Sequence, residues 1–283
     1  MLVRRSRWSC TALRTDMERV PLASLVRSVS PTRREVRLQP VGYSASAEAE
    51  LRRIYISVVR DWLTFCREVL APRYVRPPPL VVDSDYRELQ WLIEQRDAWI
   101  NSRVIYQTDT LRRWVTRLGS WHGGRIARSV LSATGVRVEA FIRMEDVREA
   151  LEERIAQNVS LIRGLSDETR RRVESVVFES FALRRTRRDF VRELARVLGI
   201  SQRKARLAAR DQAEKIQSFL TQFRQQQLGF DEYVWITMRD DRVRAMHRER
   251  DGRRFRWDSP PSDGHPGHPV NCRCLAEAYM RLW

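Results

Sequence analysis

Residues 235–274 read WITMRDDRVRAMHRERDGRRFRWDSPPSDGHPGHPVNCRC and concentrate the chemically distinctive side chains of the chain. Three of the four histidines and two of the four cysteines lie here, namely His247, His265, His268, Cys272 and Cys274. The stretch is rich in Gly and Pro and is too short to build an ordinary hydrophobic core. A local interaction must therefore hold it together, and a bound metal ion is the obvious candidate.

The sequence predicts zinc as that ion, with His247, His268, Cys272 and Cys274 as its ligands. Zinc prefers four thiolate or imidazole ligands in a tetrahedron, and such a site replaces a missing core. However, Cys272 and Cys274 are one residue apart, which is tighter than the usual Cys-x-x-Cys spacing. The alternative is a pair of small buried thiols in a Pro-rich loop, with the histidines hydrogen-bonded to the backbone.

The chain is strongly basic, with 53 Lys and Arg residues, 36 Asp and Glu residues and a net charge of +17. Only Lys204 and Lys215 are lysines, and a GC-rich genome would also favour arginine, but it would not explain the excess over acids. Residues 1–43 carry +6 and residues 44–230 carry +10, whereas residues 231–283 carry only +1. Because arginine binds phosphate with a planar fork of donors, the charge predicts nonspecific DNA binding by everything before the tail.

At 283 residues and 42% hydrophobic content, the chain is long and apolar enough to bury a core and to hold two domains. No stretch approaches the apolar length that spans a bilayer, and the first twenty residues lack the apolar run of a secretory signal. The sequence therefore predicts no membrane partner.

Apolar periodicity predicts a mainly α fold, with a helical body and a small α+β module at the carboxyl end. We expect an extended basic arm over 1–43, a helical body over 44–184, and a third unit over 185–283 that combines a long helical hairpin with the Cys/His-rich tail. Residues 76–79, Arg-Pro-Pro-Pro, predict a stiff linker within the body. Residues 233–237 and 253–257 predict strands.

Glycines predict several helix ends along the chain. Residues 121–124, Trp-His-Gly-Gly, are expected to break one helical region, and Gly164 to separate helices over 145–163 and 166–183. Gly199 is expected to end a helix and Ser201 to cap the next, which gives a helix-turn-helix-like hairpin over 187–212. A DNA-binding regulator would read the major groove with such a unit, whereas a packed hairpin would still present its arginines to phosphate. The arginines predicted to contact nucleic acid are Arg184, Arg185, Arg187, Arg188, Arg203 and Arg206.

The tail also allows an enzymatic alternative. His247, His268 and Asn271, with Asp240 or Asp241, could imitate a His-Asn-His nuclease or toxin, in which a histidine activates water and a metal holds phosphate. The spacing matches no such signature well, and the chain contains no Gly-rich phosphate loop or nucleophile elbow.

The motif as a whole, Trp-x-Thr, Asp-Asp-Arg-Val-Arg-x-x-His, Asp-Gly, Pro-Pro and Gly-His-Pro-x-Asn-Cys-Arg-Cys, resembles the phage Mu F-like head morphogenesis family. The Ala-Arg-Asp-Gln step at 209–212 is similar to an Ala-Arg-Thr-Glu-like step of that family. The resemblance covers about residues 185–279, so the third unit is expected to be the family's module. Some family members carry Cys at the position of Arg244, which hints at metal binding in the family and leaves this chain one ligand short.

The resemblance implies a structural role rather than an enzyme. Family members are minor capsid proteins of tailed phages and prophages, present in few copies, that associate with the portal inside the procapsid during head assembly, DNA packaging or ejection. We therefore expect portal protein and DNA as partners, with scaffold or major capsid protein as further candidates. The expected location is the capsid interior near the portal vertex, after assembly in the host cytoplasm. The motif residues expected to hold the module together by hydrogen bonds and packing are Trp235, Asp240, Asp241, Arg242, Asp251, Gly252, Pro269, Asn271 and Arg273.

Overall fold

The computed structural model describes residues 19–75 and 83–283. The helices are α1 (Leu22–Val29), α2 (Ala45–Phe65), α3 (Ala71–Arg73), α4 (Asp83–Thr134), α5 (Glu145–Ala182), α6 (Arg187–Gln227) and α7 (Ala245–Arg248). The strands are β1 (Glu35–Arg37), β2 (Glu232–Ile236), β3 (Arg254–Arg256) and β4 (Leu275–Arg281). A π-helical turn, Cys66–Leu70, joins α2 to α3, and Glu139–Phe141 forms a 3-10 turn. The predicted mainly α class with a small α+β carboxyl-terminal part is confirmed.

The four longest helices, α2, α4, α5 and α6, bury one continuous apolar core that extends from Ala47 to Phe223. Buried aromatic side chains carry polar tips that find partners across this core. The Trp62 indole donates to Ser166 Oγ at 3.0 Å, and the Tyr55 hydroxyl donates to Asn158 Oδ1 at 2.8 Å. The core therefore crosses the predicted boundary between 184 and 185, while the three-part division of the chain stays a prediction.

The predicted breaks in the helices are wrong, because α4, α5 and α6 each run without interruption through their glycines. A Cβ on Gly123 would lie 3.0 Å from Ile142 Cγ2, so this glycine allows the 139–142 segment to approach α4 closely. Gly164 and Gly199 cost their helices about 1 kcal/mol each relative to alanine, which tertiary packing offsets. A glycine therefore does not by itself predict a helix end, because tertiary packing can keep the helix continuous through it.

The continuity of α6 removes the predicted helix-turn-helix. Ser201 is buried within the helix, 1% exposed, and lies near the guanidinium of Arg172 on α5 instead of capping a second helix. The true start of α6 is at Thr186, whose hydroxyl accepts from the Asp189 N–H. Gly229, with a φ of +82°, lies just beyond its end.

The sheet is four-stranded and antiparallel, in the order β1-β4-β2-β3. Both predicted strands are confirmed as β2 and β3. The two other strands were not predicted: β4 is the central partner of β2, with Tyr233 opposite Ala278, and β1 pairs with its outer edge, with Val36 opposite Met280.

The prediction of an extended arm over 1–43 is wrong for residues 19–43, and residues 1–18 lie outside the described part of the chain. Val20, Leu22 and Val26 of the α1 region are buried, and Val36 and Leu38 complete a second apolar core against α4 and β4. Prolines do not prevent this packing, because Pro21 precedes the first turn of α1 and Pro31 lies in the following turn. The predicted linker at 76–79 also lies outside the described residues.

Helix α6 is the element that the bundle and the sheet share. Its carboxyl-terminal half buries polar as well as apolar side chains. Arg224, 1% exposed, donates to Gln227 Oε1 at 2.7 Å and to the Arg143 carbonyl at 2.5 Å, and burial lowers the pKa of its guanidinium. The Gln225 amide donates to the Ala276 carbonyl of β4 at 2.9 Å. Such contacts fix the sheet on the helix by hydrogen bonds as well as by apolar burial.

Within the described ranges, no helix combines the length and the apolar character that a membrane span requires.

Continuity of α6 predicts that Gly199→Ala raises the free energy of unfolding by about 0.5–1 kcal/mol, because alanine has the higher helix propensity. The added Cβ would meet only the flexible Arg203 guanidinium, at 3.8 Å. The measurement is the denaturant midpoint followed by circular dichroism. Gly164→Ala in α5, where nothing lies within 4 Å of a Cβ, is the matched control and should stabilise similarly. Destabilisation by Gly199→Ala alone would instead indicate a turn between two helices.

Candidate metal centre

The loop before β4 places both cysteine side chains on one side of the chain. Side chains two residues apart in extended chain point the same way, so Cys272 and Cys274 face inward while Arg273 faces outward. Arg273 makes a two-pronged ion pair with Asp240 at 2.6 and 2.7 Å. The short Cys-x-Cys spacing therefore does not prevent the two sulfurs from meeting at one point.

The short helix α7 supplies the third member of the cluster, His247. Its Nδ1 lies 3.6 Å from the Sγ of Cys272 and 3.6 Å from the Sγ of Cys274. The three potential ligand atoms all lie within 4.8 Å of one another, and the side chains are only 2–3% exposed. We call these three residues the His/Cys cluster.

Asp263 and Arg250 orient the imidazole of His247. Nε2 of His247 donates to Asp263 Oδ2 at 2.8 Å, and the other oxygen of that carboxylate accepts from Arg250 at 2.5 Å. A proton on Nε2 leaves the lone pair of Nδ1 directed at the two sulfurs. A carboxylate that fixes the tautomer of a histidine in this way is the usual outer partner of a metal-bound imidazole.

The surroundings of the cysteines favour a thiolate at one of them. The Cys274 thiol donates a hydrogen bond to Cys272, and the Gly267 N–H lies 3.4 Å from the same sulfur. Both lower the pKa of Cys272 against the opposing effect of burial. The same hydrogen bond, together with burial, raises the pKa of Cys274. A cluster that already stabilises one sulfur anion is prepared to bind a cation.

A small cavity of about 20 Å³ opens beside the cluster. All three cluster residues line it, together with Met238, Arg242 and Arg244. Its volume is close to that needed for one water molecule. Arg244 crosses the cavity edge and donates to the Val270 carbonyl at 2.6 Å.

Polar contacts attach the cysteine loop to α6. Asp211 Oδ1 accepts from the Asn271 N–H at 2.7 Å, which holds Asn271 in a left-handed conformation with a φ of +54°. The Ser218 hydroxyl donates to the Pro266 carbonyl. Gly267 has a φ of +84°, and a Cβ there would lie 2.6 Å from Ser218 Cβ, so only glycine allows this approach.

Most motif residues stabilise the module. Asp251 accepts from the Thr237 N–H at 2.8 Å and from Arg239 at 3.0 Å, and Gly252, with a φ of +75°, donates to the Trp235 carbonyl at 2.8 Å. The indole of Trp235 packs edge-on against His247, with ring centroids 5.1 Å apart.

The remaining motif residues lie in turns or at the surface. The Pro269 carbonyl accepts from the Cys272 N–H at 3.0 Å, and Asp240 Oδ1 accepts from the Arg242 N–H at 3.1 Å. Asp241 and the side chain of Arg242 are exposed. Asp241 was expected to stabilise the module by hydrogen bonds or packing, but it makes no such contact with the described residues.

The prediction of His268 as a metal ligand is wrong, because no ligand atom of His268 joins the His/Cys cluster. Its ring instead packs edge-on against His265, at a centroid distance of 5.3 Å. Burial lowers the pKa of both rings, to about 3 for His268 and about 4 for His265. Gly264 and Gly267 turn the chain with positive φ and so direct His268 away from the cysteines.

The nuclease-like arrangement is likewise not formed by the described residues. Asp240 is paired with Arg273, both ring nitrogens of His247 are engaged, and His268 lies elsewhere. The structure therefore does not bring the proposed general base, metal ligands and asparagine to one point.

The predicted DNA-contacting arginines are not equivalent. Arg185 pairs with Glu179 at 3.2 Å, and its side chain is 23% exposed. Arg184 also interacts with a neighbouring group, so neither arginine is free of internal contacts. Four others are exposed and form no ion pair with any residue in the described ranges: Arg187, Arg188, Arg203 and Arg206. The helical period places the last three of these within about 60° of one another on the outward side of α6. We call these four residues the α6 arginines.

Sequence reasoning missed Asp263, Arg250 and Asp211, which position the cluster. Asp263 had no signal beyond its place in a Pro-Pro-Ser-Asp-Gly turn. Asp211 lies in the Ala-Arg-Asp-Gln step, so the family resemblance marked the right residue without indicating its contact with Asn271.

Asp251→Asn should lower the free energy of unfolding of the module by about 1 kcal/mol at neutral pH, because it weakens two charge-assisted hydrogen bonds. Partial burial raises the pKa of Asp251, but the Thr237 N–H and Arg239 lower it below its ordinary value overall. The stabilisation is therefore complete above the unfolded pKa of about 3.9 and is lost as pH falls through the lower folded pKa. Denaturation between about pH 7 and pH 3 measures the difference between the two proteins.

Asp241→Asn is the matched control, since Asp241 is exposed and bonds to no described residue. It should leave stability unchanged at every pH. An equal effect of both substitutions would mean that net charge, rather than the Asp251 contacts, is responsible.

Known proteins match the part of the chain that holds this module. Residues 171–277 match the family described as Phage Mu protein F like protein. A protein of Haemophilus influenzae (strain ATCC 51907 / DSM 11121 / KW20 / Rd), described as an uncharacterized protein, is 29% identical over 164 residues. The alignment covers 57% of this chain and 37% of that relative, so the chain spans well under half of the relative's length. No solved structure matches the chain.

The family match suggests a phage head morphogenesis protein. It extends from the end of α5 through α6 and the His/Cys cluster into β4, which is the stretch in which the motif was recognised. Over residues 171–277, this chain is similar to the phage Mu F-like family.

Proposed function

We propose that this protein is a minor head protein of a tailed phage or prophage, which joins the portal vertex inside the procapsid and lies against DNA during packaging or ejection. The match of residues 171–277 to the Mu F-like family is the observation that carries this proposal. Portal protein is the principal partner, and scaffold or major capsid protein are further ones.

We propose a structural rather than an enzymatic role for the module. Several of its charged motif side chains are engaged in internal contacts, namely the Asp240–Arg273 and Asp251–Arg239 pairs. The cavity beside the cluster holds about 20 Å³, which is far smaller than a nucleotide or a peptide side chain requires. These features favour a unit built for shape and attachment.

The distribution of charge supports a location beside packaged DNA. Residues 1–230 carry almost all of the net charge of +17, and the α6 arginines form no ion pair with described residues. Arg188 and Arg206 are eighteen positions apart on one helix, or about 27 Å at 1.5 Å per residue. That length is shorter than one turn of duplex DNA, about 34 Å, so the row can contact several phosphates along one side of a duplex.

The proposal predicts that the protein is present in purified procapsids of the encoding phage, in fewer copies than the major capsid protein. Quantitative mass spectrometry should detect it there, and chemical cross-linking should join it to portal subunits. The control is a particle preparation from a mutant that lacks the gene. Absence of the chain from both procapsids and mature virions would contradict the proposal, as would metal-dependent cleavage of DNA by the purified chain.

Replacing all four α6 arginines by glutamine should weaken DNA binding and its salt dependence. Each lost phosphate contact reduces the slope of log affinity against log salt by about 0.9, so the slope should fall by roughly 3–4. Fluorescence anisotropy with duplex DNA at several salt concentrations measures this slope.

The matched control changes the net charge equally, by replacing four exposed arginines that are already ion-paired: Arg67, Arg112, Arg148 and Arg256. Its slope should stay near that of the unmodified protein. If both variants lose the same slope, binding depends on net charge and the α6 arginines are not the contact surface.

A further inference from the structure

The His/Cys cluster has the donor set of a zinc site. Two thiolates and an imidazole nitrogen are soft ligands, which select Zn²⁺ over Mg²⁺ or Ca²⁺. The three side chains come from two separate segments, α7 and the loop before β4, so an ion here would connect parts of the module that are distant in sequence.

The distances between the donor atoms fit one tetrahedral ion. With zinc–sulfur bonds of about 2.3 Å and zinc–nitrogen bonds of about 2.0–2.1 Å, tetrahedral geometry requires sulfur–nitrogen edges of about 3.5–3.6 Å. Both edges from His247 Nδ1, to Cys272 and to Cys274, measure 3.6 Å. The two sulfur–nitrogen edges therefore already have the length that zinc requires, and all three donor atoms lie within 4.8 Å of one another.

The residues outside the ligands also match a metal site. Asp263 holds His247 so that Nδ1 offers a lone pair, and Arg250 balances the charge of that carboxylate. The Gly267 N–H points at the sulfur of Cys272. Two buried thiolates would be costly without compensation, and a divalent cation would neutralise both as each thiol releases its proton to solvent.

The fourth position of the tetrahedron faces the small cavity. No fourth His, Cys, Asp or Glu within the described ranges joins the cluster, and the cavity holds the volume of about one water molecule. The exposed Arg242 and Arg244 border this opening, so its electrostatics favour water, hydroxide or a small anion over a cationic group.

We propose that His247, Cys272 and Cys274 bind one zinc ion through three protein ligands, with a solvent molecule at the fourth position. The ion joins α7 to the cysteine loop and so fixes the module on α6. This inference is independent of the head-protein role, because it concerns how the module is held and not what it assembles with.

The first test is metal analysis of the full-length chain, purified without a histidine tag. We expect one zinc per chain. After removal of the metal, titration with Co²⁺ should produce a thiolate-to-cobalt charge-transfer band and intense tetrahedral d–d bands that saturate at one equivalent. A chain that contains no zinc and gives no thiolate–cobalt band would overturn the proposal, whatever its variants do.

Variants test which residues are ligands. Cys272→Ser, Cys274→Ser and His247→Gln should each abolish stoichiometric zinc, and Asp263→Asn should lower zinc affinity by about 10–100-fold. His268→Gln and Cys66→Ser, a buried cysteine outside the cluster, are the matched controls and should retain one zinc. Loss of zinc in His268→Gln with normal helical circular dichroism would overturn the three-ligand set.

The open position is tested on the cobalt-substituted protein with azide. Azide should displace the solvent molecule and shift the d–d bands, with an affinity that falls when Arg244 is replaced by Gln. A spectrum that azide does not change would show a closed four-ligand site and would overturn this part of the proposal.

Discussion

The hydrogen bond from the backbone N–H of Asn271 to the Asp211 carboxylate is the contact on which the geometry of the tail depends. It holds Asn271 in a left-handed conformation, which turns the chain so that Cys272 and Cys274 face the interior. Lys215 pairs with the other oxygen of Asp211 at 2.6 Å, so the carboxylate is fixed from both sides. The expectation that the tail has no core is wrong, because Cys272 and Cys274 pack in a small apolar cluster with Tyr233, Trp235, Trp257 and Ala276. The polar attachment to α6 and the His/Cys cluster add to this apolar contact.

Helix α6 connects this tail to the rest of the molecule. Its first half packs in the bundle core through residues such as Phe190 and Ala205, and its second half buries polar side chains against the sheet and the cysteine loop. The second half of α6 is enclosed on most of its surface, so its polar side chains are buried as well as its apolar ones. Gln217 and Arg224 can be buried there because each has a hydrogen-bond partner, the Ser44 N–H for Gln217 and Gln227 for Arg224. The α6 arginines lie on the first half of the same continuous helix that holds the cysteine loop through Asp211 and Ser218, which gives the proposed DNA-facing surface a rigid connection to the module.

The sequence predicts the class of the fold and the positions of β2 and β3, because apolar periodicity and β-branched or aromatic runs act locally. It does not predict β1 or β4: Glu35–Arg37 is too short to carry a pattern, and Leu275–Arg281 alternates only weakly. Glycine is ambiguous in the same way, since Gly123 serves close packing while Gly229 ends a helix. Three of the four predicted metal ligands come together, whereas His268 does not, because the direction of a side chain in a loop depends on backbone angles such as those of Gly264 and Gly267. The contacts of Asp263 with His247 and of Asp211 with Asn271 could not be predicted from the sequence, because they join residues that are distant along the chain.

Hydrogen–deuterium exchange with and without a chelator tests most directly whether a metal-held cluster fixes the tail on α6. We expect removal of metal to accelerate exchange across the cysteine loop, α7 and β4, while the amides of α2 and α5 in the bundle core keep their protection. The same protection in the tail before and after metal removal would contradict it, because the loop would then be held without the cluster.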